Sequence, residues 1–110
     1  MSLPKAPDPS PQPAASCLHL VGGAGEGALG HCLTHAGAAD AILFLDAGVL
    51  HLLQAASVWP DSSQTPVFYS ATDLHAHGLF SLARRLEVDI LDDDGFCDLL
   101  AAHRHCLTWV

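Results

Sequence analysis

The stretch AILFLDAG, residues 41–48, decides the fold. Its first part, Ala41–Leu45, is uninterruptedly apolar, as expected of a central strand in a parallel sheet, because helices cover both faces of such a strand. The DAG sequence that follows turns the chain into a short helix that we expect to run through Ala56. A buried strand followed at once by a helix is the unit from which parallel sheets are built.

Short apolar runs alternate with helix-period segments on both sides of this stretch. They predict four further strands, at Cys17–Val21, Val67–Ser70, Val88–Leu91 and Cys106–Val110. Four helices are predicted between them. The first spans Gly25–Ala36, and the second is capped by Thr72 or Asp73 and interrupted at Gly78. The third spans Leu79–Leu86, and the fourth begins at Asp92–Asp94. The fold class is therefore α/β, with about five mostly parallel strands.

The chain divides into two unequal parts. Residues 1–16 hold five of the seven prolines and almost nothing that could be buried, so we expect a disordered, Pro-rich tail there. Residues 17–110 form the single predicted domain. No apolar run reaches the roughly 18 residues of a membrane span, and no secretory signal is visible. The four cysteines contain no C-x-x-C pair, which indicates reduced thiols in the cytoplasm.

Charge narrows the range of partners. Four basic side chains stand against 12 acidic ones, for a formal net charge of −8. Nucleic-acid binding depends on clustered Lys and Arg, so we expect no direct contact with RNA or DNA. Half of the residues are apolar, and a domain this small buries only about 60–65% of its unfolded-state surface. This combination indicates a subunit interface.

The first candidate site is a glycine pattern. Gly25, Gly27 and Gly30 match G-x-G-x-x-G between a strand and a helix, with Asp46 about twenty residues on, where a dinucleotide site would place its ribose-binding acid. Against this interpretation, a dinucleotide site normally spans two βαβ halves, and the predicted domain holds little more than one. A small nucleotide-binding protein remains a remote alternative, and we expect no cofactor.

The second candidate is Cys32, between His31 and His35. Neighbouring imidazoles can lower the pKa of a thiol and make it a nucleophile. However, Cys32 lies about two turns into the helix and shares its apolar stripe, which favours a buried, inert thiol.

Histidines supply a third candidate. His103, His105 and Cys106, with His75 and His77 as additions, hold nitrogen and sulfur ligands for zinc or copper. They lack a recognised ligand spacing, so structural histidines are the favoured interpretation, and we expect no metal.

An ordered series of segments resembles the TusB/DsrH family of sulfur-relay subunits. The resemblance covers Cys17 to Val110, and its specificity lies in the combination. The segments are Leu18-His19, Cys32-Leu33, residues 43–49 (LFLDAGV), residues 67–69 (VFY), residues 73–79 (DLHAHGL), Asp92, Gly95-Phe96 and Trp109.

The resemblance implies a small three-layer α/β/α subunit, flavodoxin-like in outline. It implies a heterohexamer with two related DsrE/DsrF-like (TusD/TusC-like) subunits, two copies of each, which exchanges persulfide sulfur with upstream and downstream carrier proteins. In the Tus branch such a relay serves 2-thiolation of the wobble uridine of certain tRNAs. In the Dsr branch similar assemblies serve oxidation of stored sulfur.

The resemblance also implies a site. The family's principal acceptor cysteine belongs to a partner subunit, whereas the Dsr-type version of this subunit carries its own cysteine in the first helix, where Cys32 stands. Cys32 is therefore the candidate persulfide carrier. If it is buried, the chain is a non-catalytic scaffold subunit instead. Two departures from the family pattern are His77 in place of an arginine and Asp93-Asp94 where a tyrosine is usual.

Overall fold

Ala41–Phe44 forms the middle strand of a five-stranded sheet in the computed structural model, which describes residues 16–37, 39–54 and 65–110. The strands are β1 (Cys17–Val21), β2 (Ala41–Phe44), β3 (Val67–Ser70), β4 (Asp89–Leu91) and β5 (His105–Trp109). The helices are α1 (Glu26–His35), α2 (Ala71–Ala76), α3 (Phe80–Arg85) and α4 (Asp93–Ala101), with a 3-10 helix at Asp46–Gln54. The predicted α/β class with five parallel strands is confirmed.

The strand order is β4-β3-β2-β1-β5, and every neighbouring pair is parallel. The chain adds strands in one direction from β1 to β4 and then crosses back to place β5 on the other side of β1. Flavodoxin-like sheets have the order 2-1-3-4-5, so the layered architecture is as expected while the strand order differs from flavodoxin's. All four residues of β2 are buried, as its apolar sequence predicts.

The two faces of the sheet are covered unequally. Ile42 and Phe44 belong to a large core that includes residues of α1, the 3-10 helix, α2 and α3. Ala41 and Leu43, which alternate with them, belong to a smaller core on the other face. Among the described helices only α4 contributes to that smaller core, and none of its residues is fully buried. Within the described residues, the second face is therefore thinly covered.

The local structure corrects several sequence predictions. The cap of α2 is Ser70 rather than Thr72 or Asp73, because β3 runs into the helix without a loop, so its last residue accepts the Asp73 N–H at 3.4 Å. Asp92 caps α4 by accepting the Gly95 N–H at 2.8 Å, which confirms the role predicted for the acidic run. The segment after β2 is a 3-10 helix, and its predicted extension to Ala56 lies outside the described residues.

The predicted boundary after residue 16 falls near the edge of the described residues. Ser16, assigned above to the tail, is buried, and its carbonyl oxygen accepts the His105 N–H at 3.1 Å. Residues 1–15 of the predicted tail lie outside the described residues. Within the described ranges, no helix combines the length and apolarity that crossing a membrane requires.

Gly48 is required by a close approach between the 3-10 helix and β1. A Cβ atom at this position would overlap the carbonyl oxygen of Val21, which is backbone and has little freedom to move. At Gly27, on the outside of α1, a Cβ would meet nothing within 4 Å. The two glycines therefore have opposite structural roles.

We predict that Gly48→Ala lowers the free energy of unfolding by about 1–3 kcal/mol, as overpacking does. Gly27→Ala is the control and should raise it by up to about 1 kcal/mol, since alanine favours a helix interior over glycine. Urea denaturation of both variants measures the difference. An unchanged midpoint for Gly48→Ala would contradict the close approach.

Candidate functional site

Cys32 lies in the middle of α1, on the face that packs against the sheet. Ala28, Leu29 and Cys32 form the buried stripe of this helix, and Cys32 has 0% of its surface exposed. Burial raises the pKa of Cys32 to about 12 from 9.0, and the nearby Cys17 and Asp40 act in the same direction. A rise of three units lowers the thiolate fraction at neutral pH about a thousandfold. Burial and the raised pKa both disfavour the Cys32 thiolate in this conformation.

The imidazoles that flank Cys32 in sequence lie beside a tryptophan. The ring centroids of His31 and His35 are 6.4 and 5.3 Å from that of Trp109 at the end of β5. Both histidines are on the exposed side of α1, and the Nδ1–H of His35 donates to the His31 carbonyl oxygen at 2.8 Å. They stabilise the contact between α1 and β5 and are not among the groups that shift the Cys32 pKa.

A buried chain of hydrogen bonds links β5 to the start of β2. The Nε1–H of Trp109 donates to His19 Nδ1 at 3.0 Å. Because an indole nitrogen can only donate, Nδ1 is the accepting nitrogen and the Nε2–H of His19 donates to Asp40 Oδ2 at 2.9 Å. His19 and Asp40 are 1% and 9% exposed. This chain satisfies two polar side chains that would otherwise be buried without partners.

The Asp40 carboxylate collects further donors. The backbone N–H groups of Cys17 and Gly37 donate to it at 2.9 and 3.0 Å. Burial alone would raise the pKa of Asp40, but hydrogen bonds from His19, Gly37 and Cys17 outweigh it and leave this pKa below its ordinary value. Its negative charge, after burial, raises the pKa of both Cys17 and Cys32. The carboxylate charge thus acts in the same direction as burial, which is the larger cause, and disfavours the thiolate form of both cysteines.

The four cysteines fall into two classes, and all are free thiols. Cys17 and Cys32 are buried, whereas Cys97 on α4 and Cys106 on β5 are exposed. Partial burial nevertheless raises the pKa of Cys106.

The glycine-rich segment after β1 is packed against the chain itself. A Cβ at Gly23 would lie 2.9 Å from the carbonyl carbon of Val110, and the Nε2–H of His51 donates to the Gly23 carbonyl oxygen at 2.8 Å. At Gly25, Gly27 and Gly30 a Cβ would meet nothing within 4 Å. The close approach at Gly23 therefore accommodates Val110, and this packing does not favour binding of a pyrophosphate group at the glycine-rich segment.

Two of the histidines considered as metal ligands have other partners. The Nδ1–H of His103 donates to the Leu99 carbonyl oxygen at 2.9 Å, and the ring of His75 stacks on Phe80 at 3.9 Å. His103 lies just after the end of α4, which stops at Ala101. No group of three His, Cys, Asp or Glu side chains suited to a metal ion occurs within the described ranges.

Sequence reasoning missed the pairing of His19 with Asp40. A histidine inside an otherwise apolar strand, and an aspartate directly before the next strand, are the signals that could have found it. Leu18 lies opposite Ala41 in the parallel pair of β1 and β2, so the residue after Leu18 and the residue before Ala41 lie close together. Both are buried polar side chains, and each needs a hydrogen-bond partner.

The comparisons with known proteins support one family. A family model described as "DsrH like protein" matches residues 24–106, which is 83 of the 110 residues. The matched part begins before α1, contains Cys32 and ends within β5. A search of curated proteins finds no match.

We predict that Asp40 makes stability pH-dependent. A folded-state pKa below the unfolded value of about 3.9 stabilises the fold above that pH, and this stabilisation is lost as the pH falls through the folded-state pKa. Asp40→Asn should cost about 1.5–3 kcal/mol at pH 7, the value of hydrogen bonds to a charged group. Urea denaturation should show this difference shrinking below about pH 4. Asp98→Asn, on the exposed surface of α4, is the control. If the difference in free energy of unfolding between wild type and Asp40→Asn stayed constant from pH 7 to pH 3, the lowered pKa of Asp40 would be contradicted.

We also predict that two thiols of the native chain react readily with a disulfide reagent, and two only after unfolding. Cys97→Ser and Cys106→Ser should each remove one fast thiol, whereas Cys32→Ser should leave the fast count at two because Cys32 is buried. Thiol titration with and without denaturant measures this. Three fast thiols in the native chain, reduced to two by Cys32→Ser, would show that α1 opens readily.

Proposed function

Because the chain belongs to the TusB/DsrH family of sulfur-relay subunits, we propose that it is the scaffold subunit of a complex that passes persulfide sulfur for 2-thiolation of the tRNA wobble uridine. Its partners in this proposal are two related DsrE/DsrF-like (TusD/TusC-like) subunits in a heterohexamer, served by upstream and downstream sulfur carriers. One observation carries the scaffold role. Cys32 is fully buried and its pKa is raised to about 12.

Persulfide transfer sets two requirements that Cys32 does not meet here. A thiolate must attack the outer sulfur of the donor, and the donor's loop must reach it. Burial of the thiol between α1 and the sheet prevents contact with a donor, and the raised pKa disfavours the thiolate. The accepting cysteine therefore belongs to a partner subunit, and this chain contributes shape and contacts.

The predicted role of Cys32 as a persulfide carrier remains the alternative. It requires α1 to move away from the sheet, which would expose the buried Leu29 together with the thiol. Exposing one buried leucine costs about 1.5–3 kcal/mol. Contacts with a partner would have to offset this cost, so the alternative predicts that Cys32 reacts only within the complex.

Exposed apolar groups fit a subunit role. The side chain of Leu107 on β5 is 47% exposed, and that of Leu100 on α4 is 37% exposed. The chain by itself leaves these apolar surfaces in contact with water. The outer edge of β5 carries no further strand in the described sheet. Such surfaces are typical of interfaces.

The net charge of −8 disfavours direct contact between this subunit and tRNA. The tRNA branch therefore requires that another protein of the relay contacts the tRNA. Sulfur oxidation is the second candidate, because Cys32 occupies the first-helix position at which Dsr-type subunits carry a cysteine. The two branches differ in the final acceptor and are separated by measuring that acceptor.

The test is intact mass spectrometry of the complex co-expressed with its two related subunits, after incubation with a persulfide donor. We expect the mass of one added sulfur atom on a partner and none on this chain, with Cys32→Ser and the control Cys97→Ser both transferring sulfur at the wild-type rate. An added sulfur on this chain that disappears only in Cys32→Ser would overturn the scaffold role. Deletion of the chain should also deplete 2-thiouridine in cellular tRNA; unchanged 2-thiouridine would overturn the tRNA branch.

A further inference from the structure

A cavity of about 180 Å³ opens on the thinly covered face of the sheet, where β2, β3 and β4 end and α4 begins. Its apolar lining is buried or half-buried, and the polar lining is largely at the exposed rim. The apolar residues are Leu43, Leu45, Leu91 and Phe96, and the polar ones are Ser70, Thr72, Asp73, Asp92 and Asp93.

The size and walls of the cavity suit one large apolar side chain. An apolar cavity of about 150 Å³ holds a benzene molecule, so 180 Å³ accommodates a phenylalanine ring or a leucine side chain. Leu45, Leu91 and Phe96 are only half-buried by the chain itself. An apolar group inserted here would remove their remaining surface from water.

The rim is acidic and selects the charge of the occupant. The N-terminus of α4 contributes roughly half a positive charge, and the side chain of Asp92 already accepts the Gly95 N–H there. Asp73 and Asp93 add two further carboxylates, and the lining residues in the described part of the chain include no Lys or Arg. The excess is negative, so the rim repels phosphates and carboxylates and attracts ammonium or guanidinium groups.

We propose that this cavity docks a segment of a partner protein that inserts one large apolar side chain between β2, β4 and α4 and places Lys or Arg against Asp73 and Asp93. The shape and charge of the cavity carry this proposal, which does not depend on where the relay delivers its sulfur. The mode is a familiar one, an apolar anchor in a pocket with complementary charges at the rim.

The probe is the acetylated and amidated peptide KRFRK, titrated into the full, isotope-labelled chain while backbone amide NMR shifts are recorded. We expect saturable shifts confined to the segments that line the cavity, residues 43–45, 70–73 and 91–96. The peptide KRSRK should bind at least about tenfold more weakly, since it lacks the apolar anchor. The acidic peptide EDFDE should produce no saturable shifts.

Variants separate the two halves of the proposal. Asp73→Asn combined with Asp93→Asn should weaken KRFRK binding about tenfold at low salt and reduce its salt dependence. Thr72→Trp, at an exposed position of the rim, should obstruct the cavity and make KRFRK bind no better than KRSRK. Asp98→Asn, exposed on the same helix but outside the cavity, is the matched control and should bind as wild type does.

Two outcomes would overturn the proposal. One is equal affinity for KRFRK and KRSRK in the wild-type chain, which would reduce the effect to general attraction by an acidic protein. The other is a set of shifts that are centred away from the cavity and do not change with the Asp73 and Asp93 substitutions.

Discussion

The hydrogen bonds to the Asp40 carboxylate are the constraint on which the rest of the structure depends. Its oxygens accept N–H groups from the first residue of β1, from Gly37 after α1 and from the His19 ring. Through His19 the same chain reaches Trp109 on β5. Because an uncompensated buried carboxylate is very costly, the three elements must meet at Asp40 together. These hydrogen bonds thereby connect β1, the residue after α1 and, through His19, β5 to the start of β2.

The same carboxylate also affects the two buried thiols. Its charge adds to burial in keeping Cys17 and Cys32 protonated, so the interior that stabilises the fold also suppresses thiol reactivity. Releasing Cys32 would require both a movement of α1 and a change in the surroundings of Asp40. A subunit stabilised in this way is better suited to shaping a complex than to exchanging sulfur through its own core.

Local patterns in the sequence predicted most of the fold. The apolar run of β2 predicted a buried central strand, the stripe of α1 predicted that Cys32 is buried, and Asp92 was recognisable as helix N-terminal charge. What could not be predicted arises between distant residues. His19 and Asp40 are 21 positions apart, and Trp109 is 90 positions from His19. The Ser70 cap and the cavity depend on where three strands end relative to α4, which no single segment encodes.

The position of the cavity follows from the way the sheet is filled. Open α/β sheets usually bind ligands outside the carboxyl ends of their strands, where the strand order reverses. Here that reversal lies between β1 and β5, and Val110 and His51 pack against Gly23 at that end of the sheet. The space that stays open lies beside β2, β3 and β4, on the face that α4 covers. Closing the usual ligand position while leaving an acidic, apolar recess beside it favours recognition of a protein segment over binding of a nucleotide.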